Sequence, residues 1–290
     1  MATPFESEEF SDAAYWRDAS RKKRLNINNC ISSWTDICGF GSLLEANDWD
    51  LARLQEQGVV YLLNQMHLIA GRPLMIGIDP YPNDKVIVLN DGIARTIDLL
   101  HIDRIDAHVF LLYVRDLLFS HLSLLRITKV HNVGVRTVVA GGQRVQYSAA
   151  STTGHSNLYY DENNVSDYGK KLLNTTFVYN PAEFQMNTAF AKAYTLDSLG
   201  SKSGIVVNGF YIESEFFAKI KPIKELKIDV AQNNIMFYRS DMLMFELNIK
   251  NTISLNIKGV DTVVYHIDKF VIHKMFDGDD LEFDLFNQVE

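Results

Sequence analysis

Two aspartates stand out for the company they keep. Asp36 falls within Ile31-Ser-Ser-Trp-Thr-Asp36-Ile-Cys-Gly39-Phe-Gly41, where a strand pattern gives way to a turn carrying two glycines. Asp91 lies in Asn90-Asp91-Gly92, a sequence that tight hairpin turns favour. Gly39 and Gly41 allow dihedrals that side chains disfavour and let backbone amides come close to a ligand. A helix starting there turns its unpaired N–H groups and the positive end of its dipole toward a phosphate. Ile37, Cys38, Gly39, Phe40 and Gly41 are therefore a candidate phosphate cradle. Asp36 beside them is a candidate oxygen ligand for a divalent cation. Both aspartates also have a plainer reading, because Asp in a turn commonly bonds its own backbone.

Other chemistry-bearing residues are weaker candidates. Asp98, His101, Asp106 and His108 include no histidine pair at i, i+4, so scattered surface imidazoles are the expectation. Serine and cysteine show no catalytic signature, and Cys38 is expected to pack through its side chain. Tyr159-Tyr160 read as anchors of an exposed loop that could touch a ligand or partner.

The elements that must position these residues follow in order along the chain. Residues 1–25 are polar, acidic and then basic, and read as an arm. Asn26 to Asp36 reads as strand one, and Trp49 to Ala70 carries helical spacing behind an Asn47-Asp48 cap. Lys85–Leu89 and Ile93–Leu99 flank the Asp91 turn as a hairpin. Asp103 and Asp106 open a long apolar helix through Leu125. Val135–Ala140 is a strand, with Gly141-Gly142 as a kink before Arg144–Tyr147. Residues 148–179 lack periodicity and read as an exposed insertion. A helix over Glu183–Leu199 and a strand over Gly204–Ile212 follow, and short strand-like runs fill 224–290.

The sequence of strand, helix, hairpin, helix, strand, helix, strand is the βαββαβ pattern of a ferredoxin-like palm with an added helix and strand. The expected class is α+β, with 26–223 as the palm and 224–290 as a β-rich C-terminal extension. In that topology the tip of strand one and the hairpin turn are neighbours. Asp36 and Asp91, 55 residues apart in sequence, are then expected side by side, able to hold two Mg²⁺ or Mn²⁺ ions.

Composition bounds the partners. The chain of 290 residues is 47% hydrophobic and 22% charged, ordinary for a folded protein. A net charge of −8 argues against broad binding to nucleic acid or anionic membrane, while leaving room for one basic pocket. No signal peptide is legible, and Val109–Leu118 is interrupted as an apolar run by Arg115 and Asp116. Cys30 and Cys38 on a straight strand would lie about 26 Å apart, beyond disulfide reach. A cytoplasmic protein with no nucleic-acid or membrane partner is the expectation.

The layout resembles the class III adenylate and guanylate (nucleotidyl) cyclases. Thr35-Asp36-Ile37-Cys38-Gly39-Phe40 looks like their Asp-Ile-x-Gly-Phe metal and phosphate motif, and Leu89-Asn90-Asp91-Gly92 looks like their second metal-binding hairpin. Val135-Arg136 through Gly141-Gly142 is similar to their Arg–apolar–Gly strand. Met186-Asn187-Thr188-Ala189-Phe190-Ala191-Lys192 resembles their substrate helix. The resemblance spans residues 26–212 and implies a homodimer that joins the 3′-oxygen of a nucleoside triphosphate to its α-phosphate. It gives Asp36 and Asp91 the metals, Asn187 the ribose or base, and Lys192 or Arg136 the task of neutralising charge.

The chain also departs from the family pattern. The residue four after Asn187 is Ala191, where the family carries an arginine, and Lys192 sits about 100° further round a helix. No counterpart of the family's base-reading Lys and Asp is present. A divergent bacterial cyclase of anti-phage signalling would accommodate this. So would a cyclase-fold module that binds nucleotide or serves as a scaffold without turnover.

Overall fold

The computed structural model describes residues 18, 21–71, 84–99, 105–145, 167, 181–273 and 279–285. Most of the 148–179 segment, with Tyr159 and Tyr160, and the position of His101 lie outside them. The chain divides into two units: Met1–Asn28 with Gln143–Asn187, and Asn29–Gly142 with Thr188–Glu290.

In the second unit the palm is laid out by β1 (Ile27–Cys38), β2 (Lys85–Leu89), β3 (Gly92–Asp98) and β4 (Gly134–Val145). These four strands lie in the order β2-β3-β1-β4, which is the ferredoxin-like arrangement. The fold is α+β. Strand β1 pairs antiparallel with β3 in a register that sets Trp34 opposite Ala94 and Asp36 opposite Gly92. Alternation along β1 then sends Ile31 and Ile37 to one face, and Trp34, Asp36 and Cys38 to the other.

The first face is covered by α3 (Val59–Gly71) and α4 (Ala107–Lys129), after the short helices α1 (Phe40–Ala46) and α2 (Leu51–Glu56). Ile37, Leu62, Met66, Leu124 and Val135 form one core there, and Ile31, Phe110, Leu117 and Val139 belong to another. Each fully buried side chain of this kind contributes roughly 1.5–3 kcal/mol. Helix α4 is long and apolar enough to cross a membrane by length and composition alone, yet most of it is buried in this core. Asp106 caps it by accepting from the His108 amide at 2.7 Å. Gly58, at φ 76, separates α2 from α3, so the single helix expected over 49–70 is two. The start of α2 is capped by Asp50, which accepts from Ala52 at 2.8 Å, rather than by Asn47-Asp48.

The opposite face of β1 and β4 receives α5 (Thr188–Leu199). Gly142 permits this packing, because a Cβ there would overlap the backbone of Ala189. Trp34 meets α5 edge-on, 6.0 Å from the Phe190 ring and 5.3 Å from Tyr194.

Beyond β4 the sheet runs on through β5 (Phe210–Glu213), β9 (Val260–Ile272), β8 (Met242–Ile257), β7 (Asn234–Arg239) and β6 (Leu226–Val230), with β10 (Leu281–Asp284) pairing β9. Helix α6 (Glu215–Ile220) follows β5. The strand expected over 204–212 shrinks to four residues, because 204–209 form turns held by Tyr211, whose hydroxyl accepts from the Val206 amide at 2.7 Å. The apolar runs of the C-terminal strands are buried in the core of α4, with Phe237 stacked on Phe245 at 4.5 Å. These strands thus extend the palm's own sheet. Buried His121 on α4 bonds Thr137 at 2.9 Å and the Leu285 carbonyl at 3.3 Å. Burial holds its imidazole down at about 4, so it is neutral near pH 7.

In the first unit, Asp18 pairs with Lys22 at 2.8 Å and Arg24 at 3.1 Å. Arg144 bridges Asn187 in antiparallel fashion, and Asn187 Nδ2 donates to the Glu183 carbonyl at 2.9 Å. The helix expected over 183–199 is therefore interrupted. A 3₁₀ turn spans Ala182–Phe184, Met186 takes φ 46, and the α-helix begins only at Thr188.

Candidate active site at the tip of the first strand

The hairpin between β2 and β3 turns through two residues, Asn90 and Asp91, with Asn90 in the left-handed region at φ 53. The Ile37 amide donates to the Asp91 carbonyl at 3.0 Å, which ties this turn to the tip of β1. Asp36 and Asp91 are thereby neighbours. Gly92 belongs to the strand rather than to the turn. It is glycine because Trp34 lies over it, and a Cβ there would overlap the indole.

The electrostatics follow from this crowding. Burial pushes the Asp36 carboxyl up to about 7, with Asp197 and Asp91 adding repulsion; Arg136 and a hydrogen bond from Cys38 pull it partly back. Burial also raises Asp91. The Cys38 thiol is pushed up to about 12 by burial, against the pull of Arg136 and with Asp36 adding to the rise, so it stays protonated. Both cysteines are free.

Arg136 sits on β4, on the face that receives α5. Its Nε donates to Asp197 Oδ1 at 2.5 Å and its Nη1 to the Ile205 carbonyl at 3.2 Å. Burial alone would lower the guanidinium's affinity for its proton, but the Asp197 bond holds it charged. Lys192, on α5, donates to Glu213 at 3.0 Å and Glu215 at 2.5 Å. Glu213 is buried and also accepts from the Gly141 amide and the Thr262 hydroxyl.

Gly39 takes φ 96 at the N-cap of α1, so the turn does require glycine there. Gly41 has an ordinary helical backbone, and a Cβ on it would meet nothing within 4 Å. Ile37 and Phe40 bury their side chains in the core, so only their backbone can face a ligand. The Ile37 amide is already used. In the first turn of α1 the Ser42 amide donates to the Gly39 carbonyl at 3.0 Å, which leaves the Phe40 and Gly41 amides with no intrahelical acceptor. Asn187 belongs to the other unit from Asp36 and Asp91.

Among the described residues, no group of three or more His, Cys, Asp or Glu is placed to hold a metal by itself. The donor set nevertheless suits a hard cation. Mg²⁺ is commonly held by one or two carboxylates, with water and substrate phosphate completing its shell. Two crowded, partly desolvated aspartates gain from a cation between them.

Asp197 was not legible as a site residue. Its one local signal is its place: an acid in the last turn of α5 opposes the helix dipole unless a cation compensates it.

No protein-family model and no curated protein matches the chain. It is similar in structure to nucleotide cyclase domains. One is the guanylate cyclase domain of a Catenaria anguillulae protein in complex with GTP, 9% identical, covering 83% of this chain and 97% of that one, TM-score 0.41. A second is a bacterial light-regulated adenylyl cyclase, 13% identical, covering 84% of this chain and 53% of that one, TM-score 0.44. A third is an adenylate/guanylate cyclase/hydrolase from Silicibacter pomeroyi, 10% identical, covering 84% and 98%, TM-score 0.31.

Proposed function

We propose that this chain is a divalent-metal-dependent nucleotidyl cyclase, converting a nucleoside triphosphate to a 3′,5′-cyclic nucleotide and pyrophosphate. The observation that carries the reading is the adjacency of Asp36 and Asp91 at the tip of β1, joined through the bond from Ile37 to Asp91. In the reaction the 3′-oxygen bonds to the α-phosphorus, the bond to the β-phosphate oxygen breaks, and the hydroxyl proton leaves to solvent. Mg²⁺ or Mn²⁺ bound at the two aspartates would supply positive charge to the triphosphate and the attacking oxygen. Asp36 and Asp91 hold that charge in place, and the Gly39–Gly41 turn presents first-turn amides to phosphate. Arg136 provides a fixed cation nearby. Asn187 serves the ribose or base, supplied in a homodimer by the second copy of the chain.

A second reading is favoured by Lys192, whose ammonium is engaged by Glu213 and Glu215. A palm with no spare cation on α5 would bind nucleotide and metal without turning it over. Incubating the protein with each of the four NTPs and Mn²⁺ separates the two. Cyclic nucleotide and pyrophosphate are expected; a raised melting temperature with the NTP intact would support the binding module instead.

A further inference from the structure

Arg136 lies beside Asp36 without bonding to it. Each acts electrostatically on the other, yet no ion pair joins them among the described residues. The partner that Arg136 does take is Asp197, through Nε, with Nη1 on the Ile205 carbonyl. Nη2 makes no hydrogen bond among the described residues. Arg136 and Asp197 are both nearly buried, their side chains 10% and 9% exposed, so screening by water is small. Two carboxylates thus compete for one guanidinium, and the one on α5 holds it. Were Asp197 removed, Asp36 would be the carboxylate left acting on a buried charge that cannot stay unpaired. Arg136 would then neutralise the carboxylate that a cation needs.

We propose that Asp197 is a positioning residue. It holds Arg136 off Asp36, so that Asp36 stays available to a divalent cation and Arg136 Nη2 to an anionic group bound with that cation. This rests on reading Asp36 as a cation ligand. Arg136 and Asp197 lie 61 residues apart in sequence and meet only because α5 crosses the face of β4 that carries Arg136.

The test is Mn²⁺ binding to the full chain, followed by the paramagnetic resonance of free Mn²⁺, with thermal melts to check folding. Asp197→Ala should weaken binding about tenfold, the scale of one lost charge interaction. The double variant Arg136→Met with Asp197→Ala should recover affinity to within about threefold of the parent, since the quenching cation is gone. A purely structural pair would leave the double variant no better than the single one, and that result overturns the proposal. So does unchanged binding in Asp197→Ala. Should Asp197→Ala not fold, Asp197→Asn takes its place. A crystal structure of the single variant gives a readout independent of metal. Arg136 within about 3.2 Å of an Asp36 oxygen is expected, and Arg136 still at its present position counts against us. If the parent binds no Mn²⁺, the cation reading of Asp36 fails separately, and the position of Arg136 in that structure still decides.

Discussion

The Ile37 amide donates to the Asp91 carbonyl at 3.0 Å, so the tip of β1 and the β2–β3 turn form one piece of backbone structure. The backbone thus holds the two acids as neighbours, and Asp91 adds to the rise of the Asp36 carboxyl. Asp36→Asn and Asp91→Asn should each lower cyclisation about a hundredfold, equivalent to about 2.7 kcal/mol of transition-state stabilisation. The double variant should cost little more than either single, as expected of residues acting as a unit. Steady-state rates with Mn²⁺ check this, and additive losses would separate the two acids into independent roles.

The Asp36 carboxyl, raised from 3.8 to about 7, gives stability a definite pH dependence. Between those values the native state keeps a proton that the unfolded chain has lost, so stability falls as pH rises through that window. Asp36→Asn should therefore melt a few degrees above the parent at pH 8 and level with it near pH 4. Mn²⁺ binding should strengthen as pH rises through about 7, because proton and cation compete for the same oxygens. Melting curves and Mn²⁺ titrations from pH 5 to 9 test both.

Gly92 carries no side chain because the Trp34 indole occupies that space. Gly92→Ala should cost roughly 1–3 kcal/mol, as overpacking does, and redden the tryptophan emission as Trp34 is pushed toward water. A variant with parental stability and spectrum would show that the ring moves freely.

Lys192 tests whether α5 carries a transition-state cation. Its removal in Lys192→Met leaves buried Glu213 without its ion partner, a loss of about 3–5 kcal/mol. Lys192→Met with Glu213→Gln should regain much of that stability. Activity per folded molecule should stay within a fewfold of the parent. A large loss of activity at unchanged melting temperature would instead place Lys192 at the substrate.

Local patterns determined much of this protein from the sequence alone. The run Ile27–Cys38 was legible as a strand leading into a glycine turn, and the two-residue turn at Asn90-Asp91 reflects what a tight hairpin demands. With those elements in βαββαβ order, the nearness of Asp36 and Asp91 follows from topology. The apolar runs after residue 224 announced strands that had to be buried. Tertiary structure decided the rest. Nothing local says that the C-terminal strands join the palm edge-on through β5 and β9, since backbone pairing carries little sequence code. The break of the expected 183–199 helix at Met186 goes with the Arg144–Asn187 bridge, a contact from outside that segment. The pairings of Arg136 with Asp197 and Lys192 with Glu213 depend on which face of the sheet α5 covers. A charge's partner is whatever packing brings within a few ångströms once water is excluded. That is a property of the folded chain, and here it gives Arg136 to Asp197, and Lys192 to Glu213 and Glu215.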